Sequence, residues 1–102
     1  MNICREPIYT TYIRHCMRFY SRYLHIETFR NEVDRLNWEA CHRAIQEYSP
    51  TEKDILVCVY GECDTLGDNV YNVSKRYGVH QDVVWAMMRE FERKAAVERG
   101  LA

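Results

Sequence analysis

The chain has no apolar run near the roughly 20 residues of a membrane-spanning helix, so no membrane association is expected. Its first residues, Met1 to Pro7, show no signal-peptide pattern, and a cytoplasmic protein is expected. It has no Cys-x-x-Cys pair. Its five cysteines, Cys4, Cys16, Cys41, Cys58 and Cys63, are odd in number and without a signal peptide read as reduced thiols. Cys16, Cys41 and Cys58 fall on apolar helix faces, where Cys acts as a small hydrophobe. Cys58, Cys63, His15 and His42 match no usual zinc spacing, so no metal and no cofactor are expected. No Gly-rich phosphate loop occurs, and no His, Cys and acid fall at a spacing that fixes them on one element. Cys41 and His42 are neighbours in sequence and point to different helix faces. With no catalytic set, the chain is not expected to be an enzyme.

What is present describes a single small domain over 1–102, at 47% hydrophobic and 28% charged residues an ordinary globular mix. It divides into a helical pair, 1–47, and a second unit, 48–102. The net charge of −1 is spread unevenly. Residues 1–30 hold five arginines against two glutamates, residues 31–68 three bases against nine acids, and residues 69–102 six bases against four acids. The middle is acidic and both ends are mildly basic.

Pro7 suits the first turn of a helix, where its missing N–H would be unpaired anyway. Tyr9, Ile13, Cys16, Met17, Tyr20 and Leu24 then share one face. Arg14, Arg18 and Arg22 line another face at i, i+4, i+8, as a solvated stripe or a phosphate contact. A connector over 24–30 leads to a second helix, with Thr28 or Asn31 able to cap it. Its buried stripe is Val33, Leu36, Ala40, Cys41, Ala44, Ile45 and Tyr48. Trp38 lies off that stripe, to pack against the first helix or to mark an exposed contact, core packing being the commoner fate of a Trp in a small domain. Ser49-Pro50-Thr51-Glu52 is a capping box with Pro at the first helical position. The apolar helix it opens should end at Gly61, and residues 62–69 read as turns.

Val70, Val73, Ser74 and Tyr77 recur at helical spacing up to Gly78-Val79. A second stripe follows: Val84, Met87, Met88, Phe91 and Ala95. Two helices joined at a Gly-centred turn read as a helix-turn-helix, with Gly78 at positive φ and Val79 buried beneath the corner. The last helix should run from about Gln81 to Arg99. The expected fold is all-α, about five helices, with two N-terminal helices packed on a C-terminal trihelical helix-turn-helix unit.

Residues 48–101 resemble region 4 of sigma-70-type RNA polymerase sigma factors and related small bacterial or phage regulators. Tyr48 to Gly61 looks like the Ser-Pro-capped first helix of that family. Val73-Ser74-Lys75-Arg76-Tyr77-Gly78-Val79 looks like its second helix and turn, and Val83-Val84 through Lys94 like its recognition helix. Two features differ. The connector 62–69 is longer than the usual loop, and the exposed recognition positions are not rich in Arg and Lys.

The resemblance implies a small DNA-binding transcriptional regulator with duplex DNA as partner. In such a unit the second helix sets its N-terminal residues against base edges in the major groove. Gln81 can pair with adenine, and Arg89 can reach guanine or phosphate. His80 suits a cap or a phosphate contact, and Lys75 and Arg76 can hold the backbone. Trp85 at a groove-facing position is commoner at protein interfaces than in DNA readout. It motivates an alternative: a protein-interaction module that forms a homodimer or meets an RNA polymerase-type partner.

Overall fold

Four helices begin where a side chain accepts an amide proton that the first helical turn leaves unpaired. The computed structural model describes residues 6–62 and 64–102. Its helices are α1 Thr10–Arg22, α2 Glu32–Ile45, α3 Pro50–Gly61, α4 Leu66–Tyr77 and α5 Gln81–Arg99, with no strand among the described residues. Cys4, Arg5 and Cys63 lie outside the described residues. Asn31, Ser49, Thr65 and His80 cap α2 to α5. At Ser49 the full box forms: its Oγ accepts from Glu52 N at 3.2 Å, and Ser49 N donates to Glu52 Oε1 at 2.9 Å. The first helix starts later than the proline suggests. Tyr9 precedes α1 with no side-chain cap, and Pro7 only accepts from Thr10 N, at 3.1 Å.

The expected architecture forms. α1 and α2 pack on one another and on the trihelical unit α3–α5, with α5 touching all four other helices. Ile13, Met17, Leu56, Val59, Val70, Val73, Val84, Met88 and Phe91 are enclosed at their centre. Each such side chain contributes about 1.5–3 kcal/mol of apolar burial. Two residues of the expected stripes are exposed instead. Leu24 lies past the end of α1, and Val33 sits in the first turn of α2. An asparagine takes an inward position on α2: Asn37 Oδ1 accepts from Tyr12 at 3.0 Å and from Arg99 at 2.7 Å. Trp38 does pack on the first helix, 5.1 Å from the Tyr20 ring, and stacks on His42 at 4.7 Å.

Two junctions differ from the expected turns. Thr65 accepts from Asp68 N at 3.3 Å and starts α4 at Leu66, so the connector shrinks from 62–69 to 62–65. Residues that look turn-rich are an N-terminal cap, because Thr and Asp favour both. Gly61 ends α3 without positive φ. Its value is close approach: a Cβ there would meet Ser21 Cβ of α1 at 3.0 Å.

Candidate nucleic-acid interface

Gly78 ends α4 at φ 66°, in the left-handed region. Val79 N donates back to Ser74 O at 3.0 Å, the paired-carbonyl stop that only a residue tolerant of positive φ allows cheaply. Val79 itself is half-buried against the core, less enclosed than expected, because the corner stays open on one side. Ser74 is buried where α4 meets its neighbours, and its Oγ donates to Tyr71 O at 2.8 Å. α5 leaves the corner with His80 as cap, its Nδ1 accepting from Asp82 N at 3.0 Å.

Four expected site residues, Lys75, Arg76, His80 and Gln81, flank this corner and are exposed. Lys75 Nζ lies 5.0 Å from the centre of the Tyr71 ring. Arg76 is already engaged, its Nη1 2.8 Å from Glu62 Oε2, and that bond raises its pKa. Gln81, Trp85 and Arg89 follow at i, i+4, i+8 down one stripe of α5. Beside this stripe, Asp82, Val83 and Ala86 are open to solvent.

Trp85 is half-buried, packed against the core, with the Arg14 guanidinium 6.0 Å from its ring centre. Val84 and Met88 hold the inward positions beside it. Trp85 and Arg89 form one wall of a cavity of about 300 Å³, with Tyr9, Thr10 and Arg14 of the N-terminal segment opposite. The structure therefore splits the expected set: four residues surround the turn, and two face α1.

Sequence reasoning missed the group that sets this geometry. Glu92 is 2% exposed, yet it carries a carboxylate. It accepts from Tyr60 Oη at 2.6 Å and from Arg14 Nε at 2.9 Å, tying α5 to α3 and α1. A buried carboxylate is tolerable only when bonded in this way. Burial and the Glu92 charge push the Tyr60 hydroxyl well above its ordinary pKa. Burial works against the Arg14 charge, but the bond to Glu92 and the negative charges of Glu92 and Glu6 together outweigh it, and its pKa is raised. Thus Arg14 leaves the basic stripe of α1 and becomes an internal partner. The one available signal was position: Glu92 sits one turn after Met88 and one before Ala96, inside the apolar stripe.

Among the described residues, no three His, Cys, Asp or Glu side chains gather as metal ligands, and no helix is long and apolar enough to cross a membrane. Compared with family models, curated proteins and solved structures, the chain gives no match.

Proposed function

We propose that this chain is a small cytoplasmic DNA-binding transcriptional regulator, using α4 and α5 as a helix-turn-helix similar to sigma region 4. One observation carries the reading: the left-handed Gly78 turn launches α5 with Gln81, Asp82, Val83 and Ala86 exposed in its first two turns, while Phe91, Glu92, Ala95 and Ala96 anchor its later turns in the core. A helix held in this way can enter the major groove by its N-terminal residues. Gln81 is the base-reading group, and Lys75, Arg76 and Arg89 meet phosphates. Trp85 acts from behind, packing on Arg14 and orienting the stripe that carries Gln81 and Arg89.

Phosphate contacts supply most non-specific affinity, with a salt slope of about −0.9 per contact on duplex DNA. Three such contacts give a slope of about −3, and binding in the micromolar range or weaker. The test is a titration of random and selected duplexes at low and moderate salt. Arg76→Ala should weaken all duplexes alike. Gln81→Ala should relax sequence preference and leave the slope unchanged. Absence of any shift at about 50 mM salt, where affinity is greatest in the usual range, rejects the reading.

A specific feature favours a second reading, the protein-interaction module. Val83, 50% exposed, and Ala86 make an apolar strip between the acids Asp82 and Glu90, a face better suited to protein than to phosphate. If Val83→Asp converts a dimer to a monomer, or releases a polymerase-type partner, and no duplex binds, the module stands in place of the regulator.

A further inference from the structure

A cationic groove lies away from the helix-turn-helix. α1 and the start of α2 enclose a groove of about 240 Å³, lined by His15, Arg18, Phe19, Arg22, Tyr23 and Arg30 among others. A second cavity of about 290 Å³ shares Phe19, Tyr23 and Arg30, so the two form one path along the aromatic pair. The one carboxylate on this path is Asp34, and Arg30 holds it at 3.1 Å. No carboxylate among the described residues pairs with Arg18 or Arg22. Arg22 Nε reaches only a carbonyl, Gly61 O, at 3.4 Å.

The aromatic wall is half open, with Tyr23 exposed and Phe19 half-buried. The Phe19 and Tyr23 rings lie 5.1 Å apart, and Tyr23 is 53% exposed. Trp38 Nε1 donates to Tyr23 O at 3.0 Å, while the Trp38 ring packs on Tyr20 and Phe29. That bond holds the Tyr23 backbone, just past the end of α1, against α2.

We propose that this groove binds single-stranded nucleic acid, with phosphates on Arg18 and Arg22 and a base stacked on the Phe19–Tyr23 pair. Unpaired positive charge beside an open aromatic face is the combination that strand binding without sequence preference uses. A duplex keeps its bases paired inside and offers no ring face to Tyr23. An acidic peptide satisfies the arginines and leaves the aromatic wall without a role. The site is separate from the α5 surface and stands or falls independently of the duplex reading.

The test is fluorescence anisotropy of the full chain with a labelled oligothymidylate of about 12 nucleotides, within the usual strand-site range. Binding should weaken with salt at a slope of about −1.4 to −2, from two to three contacts at about −0.7 each. Replacing both arginines, Arg18→Ala with Arg22→Ala, should weaken binding about tenfold or more and flatten that slope by about 1.4. Tyr23→Ala should also weaken binding about tenfold, from loss of a stacked base. The paired Arg18→Lys and Arg22→Lys variant should keep most of the affinity, and Arg43→Ala, at an exposed arginine paired with Glu98, should keep all of it. These residues are exposed, and an unchanged helical circular-dichroism spectrum identifies variants that remain folded. No binding by the native chain overturns the proposal. So does retention of affinity in the double alanine variant, or competition by polyglutamate together with an indifferent Tyr23→Ala.

Discussion

From Met88 onward α5 has one enclosed face: Met88, Phe91, Ala95 and Ala96 have no exposed surface, and even the carboxylate of Glu92 is inside. Before Met88 the same helix is open, with Gln81, Asp82, Val83 and Ala86 in solvent and Val84 alone fully buried. The later turns meet α1, α2 and α3, which satisfy both the apolar groups and the one buried charge. The early turns meet the corner formed with α4 and, through Trp85, Arg14 of α1. One half of the helix is thereby an anchor, and its rigidity helps the other half present side chains at a defined angle.

Substitutions that separate the halves should differ in size. The largest effect belongs to the anchor. Glu92→Ala strands the buried Tyr60 hydroxyl and removes the Arg14 partner, so it should cost about 3 kcal/mol in a urea titration. A loss below about 1 kcal/mol would mean that the network is not needed to hold α5. Next comes the joint between the helices. Gly78→Ala places a Cβ at φ 66°, and thermal unfolding should register a loss of about 1–2 kcal/mol. Ser49→Ala calibrates a helix end remote from that joint. It removes one acceptor from the α3 cap and should cost about 1 kcal/mol, with an equal urea midpoint counting against it. The free half gives the smallest effect. Gln81→Ala touches no buried group and should change stability by less than about 0.5 kcal/mol, although the regulator reading assigns it sequence preference.

Titration sharpens the contrast from the enclosed side. Burial pushes the Cys16 thiol from its ordinary 9.0 up to about 11. Its neutral form is favoured in the folded state, so the stability it contributes is complete below about pH 9 and is lost as pH rises from about 9 to about 11. Native-state alkylation near pH 8, read by peptide mass, should spare Cys16 and Cys41 and label half-buried Cys58 first among these three. Equal labelling of all three would show that the α1–α2 interface opens readily.

Much of this molecule was legible from residue order because its signals are local. Ser49, Pro50 and Glu52 specify a helix start within four residues, and Gly78 specifies a stop, since each acts on the backbone beside it. The apolar stripes at helical spacing gave five helices and most of the core for the same reason. Where one residue type serves two local ends, as Thr65 and Asp68 do, the choice between turn and cap went astray and moved the start of α4 by four residues. Only the tertiary structure decided which charges are available. Arg14, Arg18 and Arg22 are equivalent along the sequence, but Arg14 is consumed by Glu92 from 78 positions away, whereas Arg76 pairs with Glu62 in a solvent-exposed bridge. It also decided that Gly61 is small for the sake of Ser21, and that Trp85 leans on α1. A charge or a ring takes its role from whatever packs against it, and that partner comes from a distant part of the chain.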